Sequence, residues 1–331
     1  MKGLSKTFLS TLIALFILFC PVFAGSQGVS QYPTKAIDLI IAFGPGTGFD
    51  TTARMIAAHL SKKWGVPINP VNMTGGSGVT ALNRVLRSTP DGYMMFLDGH
   101  VLSSMLFAIQ ADLPFKLNER TFIAQMTMEP VFFVVNANSP WKTLREALDF
   151  ARKESANFRW GGGALGSLNN FSISQLLATA GIDPNSTARV IFEQGNVAAL
   201  QALLGGHVQF GIVTTSDMER LGSAGKVRGL AVTSPERLKD FPDIPTTKES
   251  GIPGSNIIGW YGISGPPNLP PHIINAWSKA LEDSTKDAEF LTQAVKLKKY
   301  FAYLPPKETK DMVNAEYEKY LALAKQIGLR K

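Results

Sequence analysis

Along most of this chain, short runs of uninterrupted apolar residues alternate with longer segments whose apolar positions recur three and four apart. Ile37, Leu39, Ile40, Ile41 and Phe43 form one such run, which reads as a strand buried on both faces. Behind it Ala53, Ile56, Ala57, Leu60 and Trp64 mark one face of a helix. Gly44, Gly46 and Gly48 stand between them, and Asp50 or a neighbouring threonine supplies the helix cap. A strand, a side-chain-poor loop and a helix start together present N–H groups and the positive end of a dipole, the outline of an anion site.

The same unit recurs. A strand over Val66 to Val71 leads through Thr74-Gly75-Gly76-Ser77-Gly78 into a helix carrying Ala81, Leu82, Val85 and Leu86. Tyr93 to Leu97 forms a strand that ends at Asp98-Gly99-His100, and further strands are expected over Phe122 to Gln125 and Val131 to Asn136. Thr143 and Glu146 form a capping box. Phe158 to Trp160 reads as a strand, 161–166 as its glycine loop, and Ser167 as the cap of the next helix. Arg189 to Phe192 leads to Gly195-Asn196 and a helix, and Val208 to Val213 to Thr214-Thr215-Ser216-Asp217. Towards the end come a second capping box at Thr246 and Glu249, a strand over Ile257 to Ser264, a proline-started helix and a final amphipathic helix up to Leu323. Strands alternating with helices predict an α/β fold, and glycine and hydroxyl residues fall repeatedly at the strand ends, where open α/β sheets bind ligands.

The first residues follow a different pattern. Lys2 and Lys6 precede an apolar run from Phe8 to Phe19, then Pro21 and Val22-Phe23-Ala24, the build of a secretory signal cleaved after Ala24. The rival is lipidation at Cys20, the only cysteine, against which the bulky Phe19 counts. The expected product is periplasmic. About 300 remaining residues suffice for a core without disulfides. The formal charge of +7 becomes +5 without Lys2 and Lys6, and the basic residues are scattered, which argues against nucleic acid and allows a mild preference for anions.

Candidate chemistry is sparse. Residues 161–166 satisfy G-x-G-x-x-G, but the preceding strand is short and no acidic strand end follows at the right distance. No Walker loop, H-E-x-x-H or G-x-S-x-G is present, and the four histidines lie far apart. No metal site, cofactor or catalytic group is expected. Asp98 with His100 remains the one conceivable acid–base pair for an exported enzyme.

Tyr32-Pro33, the Pro45 to Asp50 loop, Pro90-Asp91-Gly92-Tyr93, Leu204-Gly205-Gly206, Ala231-Val232-Thr233-Ser234, Pro242-Asp243-Ile244-Pro245-Thr246 and Gly251-Ile252-Pro253-Gly254 occur in this order. In these the chain resembles the tripartite tricarboxylate transporter receptors, also called the Bug family of periplasmic solute-binding proteins. The resemblance implies a type II periplasmic-binding-protein fold, two α/β lobes closing on a small carboxylate, and delivery to two integral-membrane subunits. A receptor serving a membrane sensor kinase is the alternative. The expected division is a signal over 1–24, a first lobe over 25–129 and 230–331, and a second over 130–229, in a monomer. A second crossing at Ile257 to Ser264 is the other possibility.

The ligand residues expected on this basis are Gly46, Thr47, Gly48, Phe49, Asp50, Gly76, Ser77, Asp98 and His100 from the first lobe. From the second come Gly162, Gly163, Ala164, Ser167, Gly195, Asn196, Thr215 and Asp217. Since these loops contain no Lys or Arg, an anion would be held by N–H groups, hydroxyls and helix ends. Asp98 would either repel a second carboxylate and favour a ligand with a hydroxyl, an amine or a ring nitrogen, or cap a local helix and face away.

Overall fold

The computed structural model describes residues 32–163, 166–192 and 196–330, with Asn196 described by its backbone. The leader Met1 to Ala24, including Cys20, lies outside the described residues, as do Ala164 and Gly195.

Two sheets form the frame. The first has the order β11-β4-β10-β3-β1-β2. Its strands are β1 (Ile37–Ile41), β2 (Ile68–Asn72), β3 (Met94–Gly99), β4 (Thr121–Glu129), β10 (Gly259–Gly265) and β11 (Tyr300–Leu304). β1 runs parallel to β2 and β3, whereas β10 pairs antiparallel with both β3 and β4. The second sheet has the order β7-β6-β8-β5-β9. It comprises β5 (Val131–Asn136), β6 (Arg159–Gly163), β7 (Ala188–Ile191), β8 (Phe210–Thr214) and β9 (Val227–Val232).

The helices are α1 (Gly48–Trp64), α2 (Val79–Leu86), α3 (Leu106–Ile109), α4 (Leu144–Lys153), α5 (Leu168–Thr179), α6 (Asn196–Leu204), α7 (Thr215–Ser223), α8 (Pro271–Ser284), α9 (Ala288–Lys296) and α10 (Pro306–Gln326). A π-helical turn, Val101–Met105, runs directly into α3.

β1 is buried along nearly its whole length, as its apolar run predicts, and α1 packs Ala53, Ile56, Ala57 and Leu60 beneath it. Gly65 ends α1 in the left-handed region at φ 67°, and its N–H donates to Ser61 O, a conformation that favours glycine.

The chain passes from the first sheet to the second at Pro130, between β4 and β5. β9 stays in the second sheet through Val232, three residues beyond the boundary expected at Gly229, and the first sheet resumes at Gly259. The intervening stretch packs on the second sheet, with Ile244 against Gly229 and the Asn256 N–H donating to Gln175 Oε1. The last helix, α10, then spans both units. Val313 packs with Phe122 and Trp260 of the first sheet, while Tyr320, Leu323, Ala324 and Ile327 join Phe133, Phe171 and Phe210 in the core of the second.

Three sequence expectations are corrected. Gly161 to Gly163 are strand, not loop, and extend β6. Side-chain-free residues suit that strand because Cβ atoms at Gly161 and Gly162 would meet Ala199 at 3.3 Å and Trp160 at 3.2 Å. The Thr246–Glu249 pair makes its reciprocal hydrogen bonds but closes a turn, with no helix following. β9, β11 and α9 were not anticipated as separate elements.

Candidate functional site

The starts of three helices converge on one cleft between the sheets. From the first sheet comes α1, whose cap Thr47 accepts through Oγ1 from Asp50 N at 3.3 Å. The Gly48 and Phe49 N–H groups, in its first turn, have no carbonyl one turn back in the helix. From the second come α5 and α7. Ser167 caps α5 by accepting from Asn170 N, while its hydroxyl donates to Gly162 O at 2.9 Å. Thr214 caps α7 by accepting from Asp217 N.

These ends open on a cavity of about 460 Å³, within the size range of small-molecule sites. Phe43, Phe49 and Tyr261 form much of its first-sheet wall, with Leu168, Leu200 and Ile212 opposite. Phe49 packs edge-on to Tyr261 with ring centroids 4.8 Å apart, and lies 4.4 Å from Phe43. Among the described lining residues the acidic side chains are Glu129 and Asp217, and none is Lys or Arg.

Of the residues expected from the sequence, Thr47, Gly48, Phe49, Ser77, His100, Ser167 and Asp217 line the cavity. Gly46, Gly76, Gly162 and Gly163 stand behind it and shape the turns and strand that do. Asp50 faces inward. It accepts from Gly46 N and Arg54 Nε, both at 3.0 Å, and from Asn72 Nδ2 at 2.9 Å. The Arg54 guanidinium, with help from Gly46 and Asn72, holds its carboxyl down at about 2. Asp50 thus braces the glycine loop. Thr215 lies one residue inside α7, so the hydroxyl that reaches the cavity is Thr214's.

Asp98, expected either in the cleft or facing away from it, faces away. It is 1% exposed and ion-paired with Arg120, whose Nη1 lies 2.9 Å from Oδ2. Oδ1 accepts from Ser103 Oγ at 2.6 Å and Gly99 N at 2.9 Å, and Arg120 Nη2 donates to Leu102 O. The carboxylate therefore ties β3 to the π-helical turn and to the start of β4, away from the cleft.

His100 does line the cavity, but Nδ1 is bracketed by the Trp260 N–H and C=O at 3.0 and 3.1 Å. Burial pushes its pKa below the ordinary value, a shift the Trp260 contact only partly offsets. It is a neutral ring at neutral pH, and with Asp98 held by Arg120 the two do not form an acid–base pair.

Sequence reasoning missed Glu129, Tyr261 and Lys299. The Tyr261 hydroxyl donates to Glu129 Oε2. Lys299 Nζ stands 3.8 Å from Glu129 Oε1, 3.5 Å from Gly48 O and 4.6 Å from the Tyr261 ring centre. Burial lowers the Lys299 pKa against the pull of Glu129, and burial beside Glu129 raises that of Tyr261 well above its usual value. A Cβ at Gly48 would overlap the Tyr261 hydroxyl, so only glycine lets α1 begin against this group. The signal in the sequence was Glu129 itself, a lone acid closing an apolar strand just before Pro130.

Comparison with known proteins gives one consistent match. The model of the family described as tripartite tricarboxylate transporter family receptor matches residues 52–329. A UPF0065 protein of Bordetella pertussis is 26% identical over 265 residues, 80% of each chain. A TctC solute-binding protein from Polaromonas superposes with a TM-score of 0.75 at 25% identity, covering 89% of this chain and 100% of its own. MatC of Rhodopseudomonas palustris, solved with bound malate, does so at 0.73 and 25%, covering 88% and 99%.

Proposed function

Because the chain belongs to the tripartite tricarboxylate transporter family of receptors, we propose that it captures a small carboxylate between its two sheets and hands it to two integral-membrane transporter subunits. Receptors of this family bind solutes and are not enzymes. The observation that carries the ligand class is the convergence of the α1, α5 and α7 starts on one cavity, since helix N-termini favour negative charge. The malate bound by MatC is a ligand of this chemistry. Glycine backbone, the Thr47, Ser167 and Thr214 caps and Asn169 form the polar part of the wall. The first lobe comprises the first sheet with its helices, the second lobe residues 131–257, and closure is a hinge motion about Pro130 and the stretch before Gly259. The receptor acts as a monomer in the periplasm, its leader removed after Ala24. Among the described residues no helix is long and apolar enough to cross a membrane.

Thermal-shift screening of the mature chain against mono-, di- and tricarboxylates and amino acids tests the ligand class. A ligand at a hundred times its dissociation constant adds about 2.7 kcal/mol of stability. Small-angle scattering with that ligand should show a smaller radius of gyration. A screen without any shift overturns the receptor reading, and an unchanged profile at saturation overturns closure.

A further inference from the structure

The carboxylate of Glu129 lines the cavity beside the start of α1. An ideal Cβ on Gly48, the first residue of α1, would lie 3.4 Å from Glu129 Oε2, so the chain's own carboxylate lies against that helix start. Oε2 receives the Tyr261 hydroxyl. Oε1 has Lys299 Nζ at 3.8 Å, an electrostatic contact longer than a hydrogen bond. Lys299 offsets part of the charge of Glu129 from behind the cavity wall. Phe49 and Tyr261 line the cavity beside Glu129, packed edge-on to each other, and neither Lys nor Arg is among the described lining residues. The second acid, Asp217, differs because it is engaged by Arg220 Nη2 at 2.7 Å on the same helix. In the second lobe the backbone N–H groups at the starts of α5 and α7 are left to receive an anion.

We infer that the ligand is a small amino-carboxylate, its carboxylate on the α5 and α7 starts and its ammonium on Glu129. This rests on the receptor reading above and narrows it. A dicarboxylate would set its second charge against Glu129, and like charges brought together in a desolvated site cost affinity. An ammonium gives Oε1 a charged donor from the cavity side.

Isothermal titration of the mature chain with matched pairs of short ω-amino acids and dicarboxylates of equal carbon number tests this, with N-trimethylated amino acids as a third arm. The wild type should bind at least one amino-carboxylate about tenfold or more tighter than its matched dicarboxylate. Glu129→Gln keeps an oxygen for the Tyr261 hydroxyl, and should reverse that preference by weakening the amino-carboxylate about tenfold and strengthening the dicarboxylate. Tighter binding of the primary ammonium supports its hydrogen bond to Glu129, and tighter binding of the trimethylated arm overturns that placement. A wild type that prefers dicarboxylates overturns this inference and leaves the receptor reading standing, as does a preference that Glu129→Gln does not alter. Absence of binding by every probe overturns both.

Discussion

Replacing Arg120 with methionine will destabilise the protein by about 3–5 kcal/mol, because it leaves the Asp98 carboxylate buried and charged without its counter-ion. Both side chains are 1% exposed, so water cannot take over. Asp98→Asn strands the guanidinium in the same way, although Gly99 N and Ser103 Oγ keep an acceptor. The double variant, Asp98→Asn with Arg120→Met, removes both charges and should recover a large part of the loss, since the cost lies chiefly in the unpaired ion. Urea unfolding of the four proteins gives the coupling directly. Single losses below 1 kcal/mol, or simple additivity, would show that the pair is not what holds β3 to the π-helical turn. Below their melting transitions the variants should keep the ligand preference of the wild type, because neither group reaches the cavity.

The second large effect is a pH dependence centred on Glu316 of α10. Its Oε2 accepts from Ser104 Oγ and Trp260 Nε1, each at 2.9 Å, yet burial outweighs these bonds and pushes its pKa from 4.5 up to about 7. A raised native pKa means that the folded protein holds the proton more tightly than the unfolded chain. Its stabilising contribution is therefore complete below about pH 4.5 and is lost as pH rises through 7. The shift corresponds to about 3 kcal/mol at most, at 1.36 kcal/mol per unit. Glu316→Gln keeps the acceptor without the charge. The stability of this variant relative to wild type should rise by about 2–3 kcal/mol between pH 5 and pH 8. His100, with a lowered value, pushes the absolute stability of both proteins the other way, so the comparison has to be made as a difference. A flat difference across that range would mean that Glu316 ionises normally in the folded state.

Where the fold was legible, local chemistry and tertiary need coincided. β1, the glycine turn and α1 agree in apolar run, cap and spacing, and the structure keeps all three. The glycines at 161–163 misled because the absence of side chains says loop locally, whereas the close approach of Trp160 and Ala199 makes the same absence a condition for the strand. Asp98 was correctly placed at a strand end. Its role was set by Arg120, 22 residues further on, and nothing in the spacing links the two. The argument made for Asp98, that an acid in the cleft disfavours a second carboxylate, passes to Glu129, which reaches the cavity because it closes β4 at the crossing. Tyr261 and Lys299 come from β10 and from the residue before β11, both paired to β4. Only the sheet order brings them together.

The way α10 is divided between the two cores has a further consequence during synthesis. The middle of the chain, 131–232, makes a whole sheet, and its strands emerge in order well before the end. Tyr320 packs on Phe171 with ring centroids 5.4 Å apart, and Leu323, Ala324 and Ile327 fill the same core. A growing chain that has delivered every strand of that sheet still lacks the side chains that close it. The middle lobe is thus the last to be completed, and a chain cut short by about a dozen residues lacks part of a core most of whose other members, from Val131 to Phe210 and Ile212, lie about a hundred residues or more upstream.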